Sequence, residues 1–83
     1  MSRLINETII VHSVDTYIVK AFIWRRRVYR VSEIISWWRE PGRWWEGEPL
    51  IRLFLRVTAT HTVEGVYELC KNGKAWSLSR VLD

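Results

Sequence analysis

The chain has 83 residues, of which 48% are hydrophobic and 27% charged, and its formal net charge is +4 at pH 7. A chain this short supports one core, so we expect a single domain over residues 1–83 and exclude a disordered tail. No apolar run approaches the roughly 18 residues of a membrane span, and residues 1–15 lack a signal-peptide pattern. The single cysteine, Cys70, permits no internal disulfide. We therefore expect a cytoplasmic protein without a membrane partner.

The first half of the chain predicts three strands. Residues 5–12 form a weak strand, and residues 16–24 and 27–38 are rich in β-branched and aromatic types, which favour strands. The last two segments predict a hairpin with Arg25-Arg26 at the reversal. Arginine is a poor residue for the positive φ of a tight turn, so a wider loop is the alternative.

Residues 32–38 also fit a short helix, because Ile34, Ile35 and Trp38 have helical spacing. We favour extended structure there.

The middle of the chain predicts a tryptophan hairpin. Pro41-Gly42 suits the centre of a type II turn, and a tryptophan pair stands on each side of it. Alternation in both arms turns one member of each pair away from the core. We expect the exposed members to dock a protein partner or a second copy of the chain, or the whole hairpin to plug a barrel end. The candidate partner-binding residues are Trp37, Trp38, Trp44 and Trp45.

Residues 50–59 show the cleanest alternation in the chain. Ile51, Leu53, Leu55 and Val57 share the side that we assign to the core. The opposite side places Phe54 between two arginines.

The last part of the chain predicts a hairpin around Asn72-Gly73, a pair that suits a type I′ turn. With these residues at the turn centre, Lys71 pairs with Lys74, and Leu69 and Tyr67 lie on the core side with Trp76 and Leu78. Six strands with little helix predict an all-β fold. We expect a small antiparallel barrel or a strongly curled sheet of about five to six strands, SH3-like or OB-like.

Catalytic signals are weak. His12 and His61 lack partners at metal-ligand spacing, so we expect no metal site, no cofactor and no enzyme. Lysines near Cys70 favour a reactive thiol, but a space-filling residue is the preferred interpretation. The carboxylates Glu46 and Glu48 are interpreted as solvated charges rather than an acid–base pair.

Arginines interleaved with aromatic residues are the strongest functional signal. Guanidinium forks bind phosphates, and flat rings stack on unpaired bases. The pattern predicts binding of single-stranded DNA or RNA, unless another segment covers the ring of Phe54. The candidate nucleic-acid-binding residues are Arg25, Arg26, Arg27, Arg30, Arg52, Phe54 and Arg56.

Five segments resemble the DUF6504-like family of small bacterial proteins of unknown function. They are Phe22-x-Trp24-Arg25-x-Arg27-x-Tyr29-x-Val31, Trp38-x-x-x-Gly42-x-Trp44-Trp45-x-x-Glu48, Arg56-Val57, Gly65-Val66-Tyr67-Glu68-Leu69 and Trp76-x-Leu78-x-Arg80-Val81-x-Asp83. Arg26 departs from the glycine expected in relatives. Such families often lie beside genes for error-prone DNA polymerases, so the resemblance implies an accessory role in DNA damage tolerance.

Overall fold

The computed structural model describes residues 3–15, 17–47 and 51–82. All neighbouring strands pair antiparallel, and the last strand returns to pair with the first, which closes a six-stranded barrel. The expected all-β barrel is confirmed, and closure leaves no open sheet edge for a partner among the described strands. The elements are β1 (Arg3–Asp15), β2 (Ile18–Trp24), β3 (Arg27–Pro41), a 3-10 turn (Trp44–Glu46), β4 (Ile51–Thr60), β5 (Glu64–Asn72) and β6 (Ala75–Leu82).

The barrel interior is filled by side chains from all six strands. An aromatic cluster packs beneath the end that carries the β2–β3 turn: Phe22 stacks on Tyr29 at 5.0 Å, and Tyr67 meets both rings edge-on. Large rings supply most of the buried area that so short a chain can gather. The buried core consists of Ile9, Val19, Phe22, Trp24, Tyr29, Leu55, Val57, Ala59, Tyr67, Leu69 and Leu78.

Strand β3 is extended throughout, as we favoured over a helix, but it carries two irregularities. Its register against β4 shifts between Val31 and Glu33 and again between Ile34 and Ser36. Each shift adds one residue, so the inward positions on β3 are Val31, Ile34 and Trp37, three residues apart instead of two. Bulges bend a strand and increase its twist, which helps a small sheet to close.

The β5–β6 hairpin lies where Asn72-Gly73 predicts it, but its turn centre is one residue further along the chain. The predicted pairing is therefore wrong by two residues, since Lys71 pairs with Trp76 instead of Lys74. Asn72 pairs with Ala75, so the two central residues are Gly73 and Lys74. Gly73 has a φ of 68° and Lys74 has no positive φ, which is the pattern of a type II′ turn. Glycine takes this conformation without a Cβ penalty and therefore occupies the first central position in place of asparagine.

The predicted core side of this hairpin is confirmed: Tyr67, Leu69 and Leu78 are buried, and Trp76 packs against them half-buried.

The predicted tryptophan hairpin is wrong. Strand β3 runs on to Pro41 and pairs with β4, so Trp37 lies opposite Leu55 and Trp38 opposite Phe54. The pairing with β4 extends β3 through the residues that a type II turn at Pro41-Gly42 would have used. The second tryptophan pair therefore belongs to the β3–β4 connection and not to an opposing strand.

Candidate nucleic-acid interface

The β2–β3 turn is tighter than its sequence suggests. Arg25 and Arg26 have φ values of 52° and 65°, and Trp24 pairs directly with Arg27. Positive φ at both central residues is the pattern of a type I′ turn, so the predicted reversal at Arg25-Arg26 is confirmed and the alternative of a wider loop is wrong. A non-glycine residue in this region is strained, and the strain needs compensation from the surrounding structure.

Glu7 on β1 supplies that compensation. Arg25 donates two hydrogen bonds to its carboxylate, from Nε to Oε1 at 3.1 Å and from Nη2 to Oε2 at 2.7 Å. The indole N–H of Trp24 donates to Oε1 at 2.9 Å, and the Arg25 guanidinium lies 4.6 Å from the centre of that indole. The bidentate pair fixes the guanidinium across the turn.

The same contacts control the ionisation of Glu7. The hydrogen bond from Arg25, followed by the one from Trp24, lowers the pKa of Glu7 from 4.5 to about 2. Glu7 follows a register shift in β1, next to Asn6 with a φ of 54°. A bulge at this position re-aims the side chains beyond it. Glu7 therefore stays ionised and oriented toward the turn.

A pocket of about 340 Å³ opens at this end of the barrel. We call it the mouth pocket; its lining residues are Arg3, Trp24, Arg25, Arg27 and Tyr29. Arg3 lies opposite Val81 and Arg27 opposite Trp24, so both arginines share the interior face at the barrel rim. Neither arginine has an acidic partner within residues 3–15, 17–47 and 51–82.

Three of the four arginines in the first predicted group, Arg25, Arg26 and Arg27, are brought together at the β2–β3 turn. Arg25 and Arg27 line the mouth pocket, Arg26 occupies the turn, and Arg30 points outward from β3 beside Thr60. Arg3 was not among the residues predicted from the sequence. Its only signal was a basic residue at the start of β1, and the pairing of β1 with β6 is what places it at the rim.

The second group, on β4, is not an open binding surface. Phe54 is only 6% exposed, and its ring stacks on Trp38 at 5.4 Å with an interplanar angle of 3°. The expectation of a ring free for base stacking is wrong, because β3 pairs with β4 and lays one ring on the other. The covering side chain is Trp38 on β3, so the alternative, in which another segment covers the ring of Phe54, is the one the structure shows. We call the surface formed by Trp38, Arg52, Phe54, Arg56 and Glu68 the outer aromatic face.

The arginines of this face are engaged within it. Arg52 lies over Phe54 at 5.7 Å, and Arg56 lies over Trp38 at 5.3 Å. In this position their Nε atoms are shielded from solvent and lack a hydrogen-bond partner in the described part of the chain. Both side chains remain half-buried and do not project freely.

Glu68 is the buried carboxylate of the outer aromatic face, with 5% of its surface exposed. Its oxygens lie 3.5 Å from Nη2 of Arg56 and 3.7 Å from Nε of Arg80. The Ser79 hydroxyl donates to Oε2 at 3.2 Å. Charged partners on both sides allow the carboxylate to stay in this shielded position.

The tryptophans of the predicted docking hairpin lie in different environments. The outward-pointing Trp38 is half-buried by its stack on Phe54, whereas Trp37 lies inward near the other barrel end and is 52% exposed. Trp37 contacts Tyr17, and Arg39 lies 5.6 Å over its ring. Trp45 is 67% exposed in the 3-10 turn.

For Trp44, the structure describes the backbone in that turn and not the side chain.

Cys70 is not placed as a reactive thiol. It is buried beside Phe54, and burial raises its pKa, outweighing the opposing effect of Arg52. A raised pKa keeps the thiol protonated and unreactive.

No group of three or more metal-ligand side chains occurs within the described ranges. The carboxylate pair cannot be placed, because Glu48 lies outside the described residues.

The fold and the site define a class of protein: a small closed antiparallel barrel with a basic pocket at one end. The chain belongs to the DUF6504 family, a domain of unknown function, whose family model matches residues 1–83. No curated protein and no solved structure matches the chain. The described residues include no helix of the length and apolarity that a membrane crossing requires.

Proposed function

We propose that this barrel binds a nucleic-acid strand at the end that carries the β2–β3 turn. The observation that supports the proposal is the concentration of arginines there, of which Arg25 alone has an acidic partner among the described residues. Unpaired guanidinium forks are suited to phosphate oxygens, since they donate in a fixed planar geometry. The arginines concerned are Arg3, Arg25, Arg26, Arg27 and Arg30.

A single strand fits this end better than a duplex. Proteins read duplex DNA by inserting a helix or a two-stranded ribbon into a groove about 12 Å wide. The arginines here surround a concave pocket whose floor consists of Trp24 and Tyr29. A flexible single strand enters a concave basic pocket directly, whereas recognition of a duplex would require an element of the protein to enter a groove. An accessory role in DNA damage tolerance, which the family resemblance implies, involves such strands.

The test is a fluorescence-anisotropy titration with a 20-mer single-stranded DNA at low salt and at about 200 mM salt. The variant Arg26→Ala/Arg30→Ala removes two exposed arginines that lie outside the mouth pocket. We expect its affinity to fall about tenfold at low salt, and its salt slope to fall by roughly 0.7 for each phosphate that the variant no longer neutralises. Urea unfolding of each variant verifies that the barrel remains folded.

The matched control is Arg39→Ala/Lys74→Ala, which removes the same charge from exposed positions near the end of β3 and in the β5–β6 turn, away from the β2–β3 turn. We expect its affinity to change less than about twofold, because loss of net charge alone has a small, screened effect. Equal losses in the two double variants would contradict a localised site. Absence of binding at low salt would overturn the proposal.

A second candidate function is protein docking, which the exposure of Trp37 and Trp45 favours. Exposed tryptophan is enriched at the centres of protein interfaces. Docking of a partner or of a second copy through these rings predicts an association that changes little between low and moderate salt. Sedimentation of the purified chain, compared with Trp37→Ala/Trp45→Ala, tests self-association. A tryptophan-dependent dimer would support this candidate, and a monomer would remove the second copy as its partner.

A further inference from the structure

The mouth pocket is closed at its base. Trp24 and Tyr29 form the floor, and both are buried in the aromatic core beneath the barrel rim. A continuous strand that crosses such a pocket must enter and leave through the same opening. A group at the end of a chain only needs to enter. The shape therefore favours a terminal group over an internal phosphodiester.

The charge of the pocket matches a terminal phosphate. Arg3, Arg25 and Arg27 contribute three positive charges, and Glu7 contributes one negative charge because its pKa is held low. A phosphomonoester carries about −1.5 to −2 at pH 7 and offers three acceptor oxygens. An internal phosphodiester carries a single negative charge. The net positive charge of two complements the monoester.

The guanidinium N–H groups of the mouth pocket have two different roles: some are bonded to Glu7, and the others are available to a ligand. Glu7 uses Nε and Nη2 of Arg25, which orients that guanidinium across the turn. Arg3 and Arg27 make no ion pair in the described part of the chain, so their forks are free to donate. Two open forks beside one oriented guanidinium are the donors that a phosphate with several oxygens requires.

We propose that the mouth pocket receives a phosphomonoester, which a nucleic-acid strand carries at its end and a free nucleotide carries on its ribose. The strand-end form rests on the proposed function and deepens it. In that form, Arg26 and Arg30 contact the following phosphates, while Arg3 and Arg27 hold the terminal one.

The experiment compares one 12-mer DNA in three forms, with a 5′-phosphate, a 3′-phosphate or hydroxyls at both ends, together with a nucleoside monophosphate as competitor. We expect one phosphorylated form to bind about tenfold tighter than the hydroxyl form, through the added charge-assisted hydrogen bonds. Arg27→Ala should bring the three forms within about twofold of one another. The neighbouring Arg26→Ala is the matched control, and it should weaken all forms by the same factor.

The outcomes separate this inference from the proposed function. Equal binding of the three 12-mers, with no competition by the monophosphate, overturns the inference and leaves strand binding intact. A monophosphate that binds through Arg27 when no 12-mer binds supports the pocket and overturns strand binding. A monophosphate that competes as tightly as the best 12-mer supports the phosphomonoester site and identifies a free nucleotide as its source. Urea unfolding of Arg27→Ala verifies that any loss is not caused by unfolding.

Discussion

Arginine and aromatic side chains meet in two regions of this barrel, with opposite results. In the mouth pocket, Arg3 and Arg27 lie at the rim without acidic partners in the described chain, above rings that belong to the core. On the outer aromatic face, Arg52 and Arg56 lie over rings that are themselves stacked. The first arrangement leaves donors available to a ligand, and the second holds the guanidiniums against aromatic rings and shields their Nε atoms from solvent.

The difference comes from the neighbouring strands and not from residue type. Trp38 lies opposite Phe54, so cross-strand pairing covers the ring that the alternation in β4 turns outward. At the mouth, inward-pointing arginines reach the end of the barrel, where no further layer of side chains follows. A contact between an arginine and an aromatic ring is thus structural in the middle of the sheet, whereas at the barrel end the arginine remains accessible to a ligand.

The largest predicted effect concerns Phe54. We expect Phe54→Ala to lower the free energy of unfolding by about 3–5 kcal/mol, because it removes a buried ring and leaves a cavity beside Trp38. Urea denaturation measures the loss. The control Ile51→Ala, at an exposed position of the same strand, should change stability by less than about 1 kcal/mol. Unchanged stability in Phe54→Ala would show that its ring is not part of the packed structure.

The next largest predicted loss of stability concerns Glu68. Glu68→Gln keeps the shape but removes the charge that faces Arg56 and Arg80. We expect a loss of about 1–3 kcal/mol, reduced toward the lower limit because both guanidiniums are partly solvated. The control Glu64→Gln changes an exposed carboxylate on the same strand. Equal losses in the two variants would contradict the structural role of the buried carboxylate.

The Glu7 contacts predict a smaller, pH-dependent effect at the mouth. The pKa of Glu7 is lowered in the folded chain from 4.5 to about 2, mainly by Arg25. A lowered pKa means that the ionised form stabilises the fold above about pH 4.5, and that this contribution is lost as the pH falls toward 2. Unfolding of the wild type and of Glu7→Gln, followed across this range, should show a stability difference that shrinks with acidification.

The matched variant Glu33→Gln lies at an exposed position without an ion pair among the described residues. It should differ little from the wild type at any pH. A difference between wild type and Glu7→Gln that stays constant with pH would contradict the role assigned to the carboxylate.

The smallest expected effect concerns Arg26, where one substitution should raise stability while it lowers DNA affinity. Arg26 has a φ of 65°, which glycine adopts without strain. We expect Arg26→Gly to raise the free energy of unfolding by about 0.5 kcal/mol, the relief of strain being partly offset by the entropy of the unfolded chain. DNA affinity should fall at the same time. Arg30→Gly, in an extended strand, should lower stability instead, by about 0.5–1 kcal/mol. Tighter DNA binding by Arg26→Gly would contradict the phosphate contact.

Strands with a regular period of two could be predicted from the sequence, and in β4 the alternation correctly places Leu53, Leu55 and Val57 in buried positions. The assignment of Ile51 to the core is wrong, because it lies at the first position of the strand and is 57% exposed. Strand β3 was harder, because its bulges place Val31, Ile34 and Trp37 three residues apart, a spacing close to that of a helix turn. A bulge depends on the partner strand, and local sequence does not reveal it. The error at the β5–β6 turn has a related cause, since Gly73 suits both a type I′ turn centred on Asn72-Gly73 and the type II′ turn centred on Gly73-Lys74 that forms.

The candidate site was predicted in part. The run Arg25 to Arg27 and the nearby Arg30 were found because they are contiguous in sequence. Arg3 and Glu7 were missed, because strand pairing places them: the β1–β2 pairing brings Glu7 toward the β2–β3 turn, and the closing β1–β6 pairing places Arg3 at the rim. The cover of Phe54 was left open, because it depends on the register between β3 and β4, which sets Trp38 opposite Phe54. Contacts between distant segments decide which arginines stay accessible.

The pairing of β1 with β6 also has a kinetic consequence. Five of the six strand pairings join consecutive strands, whereas the sixth joins Arg3 to Val81 across nearly the whole chain. Bringing such distant segments together carries a loop-closure entropy that the local hairpins avoid. Non-local pairings of this kind place small barrels among the slower two-state folders, at roughly milliseconds to seconds. The hairpins can therefore form early, and the rim that carries Arg3 is completed when the ring closes.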